Sequence, residues 1–523
     1  MGCASRMGQR GRQRGDLPVA AIELKLCQWQ ANASKLSGMR MTKRIFRWST
    51  GAVAAVAVSS GCVVVGPWPV YKDSEYKTAA YYKDAIEAID RAASTSGIGD
   101  HQGTLTAGWA AREITPRIGV PMGGYSGRPK GKRSTGVHDP LFVKAIALSD
   151  GKDAVVLVGA DMLQTLPNLL ELVERKVAAR TPLASRNILY HTSHTHCGPG
   201  ALAPGLAARI SYGKYDPAVV EFLAEQFSGA IIEAWQKRAP AKLASGVLDI
   251  PDFIRNRTRN APVDCAANFC VVQQNAGAKC ILTRYSAHPT VYGERMTDFS
   301  AEYPGAFQRQ VEKETGTEAI YIGGAVGSMG PHPPDVPGDA AAQVEAMGQG
   351  LACRLIAGIG ELKFEDTVDI ASFVFHFGMP QFQIRPMSPH WRFSPVFCRF
   401  FTGLPPVGRV QMARIGNMVF VGMPYDFSGE TAREWRLWAA EKGINLWVTS
   451  HSGAYLGYLS PDKYYNVVEP NGGMDYETGL MNWFGPNTEA YMTDLFHQGF
   501  EMLMGAPLSY APADPRALPL SRN

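Results

Sequence analysis

Residues 188–200, ILYHTSHTHCGPG, constrain this chain more than any other stretch. Ile188-Leu189-Tyr190 reads as a buried strand, and Gly198-Pro199-Gly200 cannot continue a hydrogen-bonded ladder, so the strand must run out into a loop here. Strand-end loops on a rigid scaffold are where catalytic groups concentrate. Three of the chain's eleven histidines, His191, His194 and His196, fall within six positions. Residues two apart on a strand share a face, so His194 and His196 should present their imidazoles together while His191 points the other way into a structural role. The plain alternative is polar filler at a strand end. Three histidines this close favour metal or acid/base chemistry instead.

From about Leu105 apolar strand-like runs alternate with helix-period segments. Strands are predicted at 142–148, 154–159, 188–192, 244–250, 269–273, 280–285, 319–322, 367–377, 410–415 and 418–422, and helices at 166–179, 218–238, 304–315, 340–358 and 429–442. This rhythm predicts an α/β fold in a single catalytic domain, residues 105–506, with 507–523 as a loose Pro/Ala-rich tail. Short turns at Asn275-Ala276-Gly277 and Gly416-Asn417 read as hairpins, so a mixed β-sheet core flanked by helices is expected.

Ahead of the domain, 62–104 reads as a tether carrying a short helix over 76–93. Residues 41–61 have a basic start, an apolar run over 51–58 and small residues in Ser59-Ser60-Gly61-Cys62. This resembles a bacterial lipoprotein signal cut before Cys62, whose thiol then carries lipid; a plain cleaved secretion signal is the alternative. Residues 1–40, Arg- and Gly-rich without periodicity, read as a non-native extension from an early start codon. The protein is therefore expected to be exported to a bacterial envelope, in the periplasm or as an outer-membrane lipoprotein, with a lipid anchor holding it to the membrane. The apolar run is too short to span a bilayer as a helix.

The formal charge of +5 belongs to the leader: residues 1–61 hold ten Lys or Arg against two acids, +8, leaving 5 − 8 = −3 for the rest. Without a basic stripe on the body, no nucleic-acid partner is expected. Six of nine cysteines lie beyond the leader and none forms a CxxC pair, which argues against a sulfur-rich zinc site. Export would permit disulfides, with Cys265 and Cys270 the first pair to test. No motif sets an oligomeric state.

Four other places repeat the pattern of an apolar strand ending in a polar or glycine-rich break. His288 follows 280–285 and is equally readable as a packed side chain or a ligand. The loop after 319–322, Gly323-Gly324-Ala325-Val326-Gly327-Ser328-Met329-Gly330, offers glycine amides, Gly324 and Gly327 among them, to a substrate or oxyanion. Asp426 follows 418–422 at the mouth of a helix, as a ligand or as the helix cap. Tyr455 and Tyr458 sit among glycines, readable as core. Two histidines, a third from elsewhere and a carboxylate or phenolate would make a nitrogen/oxygen zinc site that keeps a position for water, and such a site hydrolyses amides or esters without a protein nucleophile.

The order of these motifs resembles the neutral/alkaline non-lysosomal ceramidases, specifically their N-terminal catalytic domain, over about 107–506. The likeness is carried by 107–116 (AGWAAREITP), 121–125 (PMGGY), 136–140 (GVHDP) and, most specifically, 193–200 (SHTHCGPG). It implies one zinc ion per chain held by His194, His288, Asp426 and Tyr458, with His196 as acid/base or substrate-orienting group. Asp426 stands where the family has glutamate. Gly330 falls at the family's serine position, so that a serine nucleophile would have to be Ser328. No C-terminal immunoglobulin-like domain is expected to follow. The implied activity is zinc-dependent hydrolysis of the amide of ceramide or a related N-acyl lipid by a metal-activated water. The alternatives are a zinc hydrolase of the same fold with a non-lipid amide or ester substrate, and an inactive envelope-anchored binding lipoprotein.

Overall fold

The computed structural model describes residues 64–66, 76–94, 96, 98, 101–128, 130–386, 389–403, 407–468 and 474–505. The leader, Cys62 and the tail from 507 lie outside the described residues. The chain from Val64 onward forms one compact unit.

Eight strands build the larger sheet: β1 (Thr106–Glu113), β2 (Phe142–Ser149), β3 (Ala154–Ala160), β4 (Ile188–Thr192), β5 (Ala239–Asp249), β6 (Ala266–Gln274), β7 (Lys279–Tyr285) and β8 (Glu318–Gly323). Their order is β8-β7-β6-β5-β1-β2-β3-β4. The outermost pair at each end, β7 with β8 and β3 with β4, is parallel, and the pairings between are antiparallel. A smaller sheet of β9 (Ile370–Gly378), β10 (Val407–Ile415), β11 (Met418–Gly422) and β12 (Asn445–Thr449) runs in chain order, antiparallel except for the parallel β11 and β12. The sheets are mixed and the two hairpins fall where the turn residues place them.

Nine helices enter the account: α1 (Ala80–Ser94), α2 (Pro167–Ala178), α3 (Leu206–Tyr212), α4 (Pro217–Gln236), α5 (Glu302–Thr315), α6 (Ala340–Gly358), α7 (Pro395–Thr402), α8 (Gly429–Ala440) and α9 (Thr488–Met504). Four of them start on a side-chain cap. Asp216 accepts from the Ala218 amide ahead of α4, and Asp339 accepts from the Ala341 and Ala342 amides ahead of α6.

Strand alternation sorts side chains into layers. On β11, Met418 and Phe420 join Leu157, Leu282, Ile320 and Trp447 in a core that draws on both sheets. Val419 and Val421 face the other way, onto Trp435 of α8 and Phe496 of α9. Helices α2 and α4 cover one part of the larger sheet's outer face, and α5 and α6 cover another. The architecture is helices, sheet, sheet, helices. Two expectations need correction. β5 begins five residues earlier than predicted, because Pro240 makes 239–243 read as loop. Cys265 and Cys270 both carry free thiols. Cys270 lies within β6 and Cys265 just before it, so five extended residues hold the two roughly 16 Å apart, far beyond disulfide reach.

Candidate metal centre

The centre is assembled from segments that leave the C-terminal ends of five strands: His194 after β4, His288 after β7, the glycine loop after β8, Asp426 after β11 and His451 after β12. Ligands gather at such strand ends because the chain leaves the ladder there and its side chains are free to converge. The Ser450 hydroxyl fastens the loops together, accepting from the Val326 amide at 3.3 Å and the Phe427 amide at 3.1 Å.

His194 and His196 do meet, but not through strand parity. β4 ends at Thr192, and His194 adopts a left-handed backbone conformation (φ 65°) that turns the chain so that the imidazoles converge. Their Nε2 atoms are 3.3 Å apart, and His196 Nε2 is 2.9 Å from His288 Nε2. The N–H at His194 Nδ1 donates to the Leu163 carbonyl at 2.6 Å, and His288 Nδ1 to the Val326 carbonyl at 3.2 Å. Each bond fixes the tautomer and leaves Nε2 with its lone pair turned inward.

Asp426 is held by its amide donating to the Gly457 carbonyl, in a two-residue parallel bridge between 426–427 and 458–459. The cap of α8 is Ser428, whose hydroxyl accepts from the Glu430 and Thr431 amides, so the Asp426 carboxylate is released from capping. Its Oδ1 lies 3.5 Å from His194 Nε2 and 3.1 Å from His451 Nε2, while Oδ2 accepts from the Tyr455 hydroxyl at 2.9 Å.

His451 is the member that sequence reasoning passed over. It is buried, left-handed (φ 58°), and stacked flat on His194 with ring centroids 3.8 Å apart. The signal was present: 445–449, NLWVT, is a strand-like run followed two residues later by a histidine, the same pattern that marks His194.

Two groups of side chains therefore offer converging metal-ligand atoms, His194 with His196 and His288, and His194 with Asp426 and His451. They share His194, whose single inward lone pair serves one ion. Buried Asp426 Oδ1 and His451 Nε2 face each other at 3.1 Å without a well-formed hydrogen bond, an arrangement that suits two atoms converging on a shared cation. The donor set, imidazole with one carboxylate, fits a borderline divalent ion.

Electrostatics keeps the donors in ligating form. Burial, reinforced by neighbouring charge, holds His194 and His288 well below the usual histidine range, and burial pushes His196 down to about 3. Burial opposes ionisation of Asp426, but His451 and His194 beside it win and hold the carboxyl well below its ordinary value. With His194, His196 and His288 held low and Asp426 held as its anion, these four side chains offer ring nitrogens and a carboxylate to a metal at neutral pH.

The other expected residues are placed as follows. The Tyr458 hydroxyl accepts from Arg257 Nη2 at 3.1 Å, at the edge of the group. Ser328 is buried, and its hydroxyl accepts from the Gly429 amide at the start of α8. Gly330 pairs with Arg255, and a Cβ there would stand 2.9 Å from the Arg257 Cβ. The amides of Gly324 and Gly327 donate to the Tyr285 and Phe427 carbonyls, so neither is free for an oxyanion in this arrangement. His196 is the only one of the four histidines that is partly exposed. It is seated against Gly124, whose left-handed backbone (φ 96°) and missing Cβ make room for the ring. His191 is buried with Nδ1 3.0 Å from the Thr449 hydroxyl, in the structural role expected.

Residues 106–267 match the family described as neutral/alkaline non-lysosomal ceramidase, N-terminal. The span contains every motif that carries the resemblance, whereas His288, Asp426, His451 and Tyr458 lie beyond it. No curated protein matches the chain. Among solved structures, the neutral ceramidase from Pseudomonas aeruginosa is 17% identical with a TM-score of 0.63, the match covering 79% of this chain and 76% of that one. A ceramidase complexed with C2 gives the same identity and score over 79% and 77%. At this identity the likeness shows the fold, and the fold is that of a ceramidase.

Proposed function

We propose that this protein is a zinc-dependent hydrolase that cleaves the amide of ceramide or a related N-acyl lipid. The observation that carries the reading is the convergence of His194, His288, Asp426 and His451 at the ends of separate strands, within a ceramidase fold and beside a ceramidase-matched His-Thr-His stretch. His194 would be the fixed nitrogen donor and Asp426 the charged one. His288, His451 and, at the edge, Tyr458 would supply the remainder of a single-ion site. Bound zinc lowers the pKa of a coordinated water and polarises a carbonyl.

The chain's own residues supply the proton handling. His196 is partly exposed and its Nε2 lies beside the proposed ligands, so it would be placed to accept the proton lost by the attacking water. The same proton passes to the amide nitrogen as the C–N bond breaks, giving a fatty acid and an amine. Ser328, turned toward α8, takes no part. A lipid anchor at Cys62 and an envelope location suit a membrane-borne substrate.

Metal analysis of the purified protein, followed by fatty-acid release from a fluorescent ceramide with and without chelator, tests this reading. About one zinc per chain and chelator-sensitive release are expected. A protein without metal would refute it. Zinc without ceramide turnover would move the assignment to a non-lipid amide or ester, or to an inactive binding protein.

A further inference from the structure

Two short helices stand out by exposing what a soluble surface ordinarily hides. On α7, PVFCRFFT, Val396 is 76% and Phe400 75% exposed, and on α3, LAARISY, Leu206 is 53% and Ile210 48% exposed. The two helices lie next to each other, and Trp391, 45% exposed, precedes α7. Each helix carries one exposed arginine, Arg399 and Arg209, and neither carries a carboxylate. Apolar side chains flanked by arginine, without acids, form the composition of an interfacial surface that meets anionic lipid. Beside α7 lies a groove of about 980 Å³ lined by Tyr81, Phe377, Met379, Val396 and Phe400, with Asp84 as its one carboxylate.

Two further observations bear on what this face meets. Val65–Gly66 pairs antiparallel with Arg392–Phe393, and the Ser394 amide donates to the Val64 carbonyl at 2.8 Å, so the start of the described chain is stitched to the base of α7. Cys62 is two residues earlier, at most about 7 Å of chain. Lipid on Cys62 would thus enter a bilayer beside Val396 and Phe400. At the other end, α3 leads to the metal centre: the Ser211 carbonyl accepts from the Gly124 amide at 3.0 Å, and Gly124 backs onto His196.

We propose that α3, α7 and Trp391 form a docking face that seats the entrance of the metal centre on an anionic phospholipid bilayer. The purpose of the face rests on the lipid-substrate reading above; the face itself rests on the exposed residues and the stitched N-terminus. The test uses residues 64–523, the compact unit without the leader and Cys62, sedimented with phosphatidylglycerol/phosphatidylethanolamine vesicles. Binding is expected, with at least a tenfold loss of partitioning in Val396→Asp/Phe400→Asp. Arg399→Glu is expected to weaken binding to these vesicles but not to phosphatidylcholine vesicles. Circular dichroism melting checks that the variants fold, and Leu206→Asp/Ile210→Asp provides a second pair on the other helix.

Absence of vesicle binding by the parent chain, or equal binding by both double variants, overturns the proposal. So does a dimer that dissociates in Val396→Asp/Phe400→Asp without any lipid binding, which would give the face to a second copy of the chain. Turnover of ceramide in detergent micelles should be unchanged in Val396→Asp/Phe400→Asp. If no variant or parent turns over ceramide while the vesicle pattern holds, the docking face stands and the amide-hydrolysis reading falls alone.

Discussion

His451 changes the chemistry expected of its neighbours. Asp426 has one methylene less reach than the glutamate the family resemblance implies at this position, and the structure sets a histidine 3.1 Å from its Oδ1. His451→Ala should therefore lower zinc occupancy at least tenfold, whereas His196→Ala should keep most of the metal and lose rate. Inductively coupled plasma analysis of both variants decides; equal retention would remove His451 from the site. His191 provides a pH prediction away from the metal. Burial pushes it down to about 3, against about 6.5 in an unfolded chain, so between these values the unfolded state binds more protons. Its contribution is fully present above pH 6.5 and is lost as pH falls, by up to about 1.4 kcal/mol per pH unit. Urea midpoints from pH 7.5 to 4.5 should fall less steeply in His191→Asn; an unchanged slope would contradict this.

At the scale of elements, the recurring unit is a strand that ends two to four residues before a chemical group, and that unit was legible wherever the strand was. His194, His288 and Asp426 were found this way. His451 was missed because the short run 445–449 opens on Asn directly after a helix and was not read as a strand, although its Trp447 is fully buried between the sheets. The convergence of His194 and His196 was legible but its cause was not, since a left-handed histidine leaves no pattern in sequence. Helices α3, α7 and α9 also escaped, the first two because they are short and carry their apolar residues outward. Gly124 supports the site through its missing side chain: a Cβ there would stand 2.7 Å from His196 Nδ1. Gly124→Ala should displace the ring and reduce turnover by about 100-fold while leaving zinc bound. Loss of zinc in this variant would show that the loop shapes the ligands rather than His196.

For the whole molecule, one buried ion-pair cluster fastens the layers together. Asp264 accepts from Arg284 of β7 at 2.6 Å and from Arg436 of α8 at 2.8 Å, and Arg284 Nε donates to the Val448 carbonyl of β12. Asp264→Ala strands a fully buried guanidinium and should cost about 3–5 kcal/mol, read as a drop in urea midpoint. A loss below 1 kcal/mol would mean that water reaches Arg284. The α/β class and mixed sheets followed from strand and turn patterns, but their division into two stacked sheets did not, because apolar runs buried on both faces look alike whichever sheet they join. The scattered origin of the metal ligands also sets a timetable. Residues 194 and 451 follow strands of different sheets, and no sub-fragment ending before β12 contains both. A chain emerging from synthesis or export must order nearly all of itself before the site exists, so an ion held there would be acquired last and would act as a seal on a finished fold rather than as its nucleus.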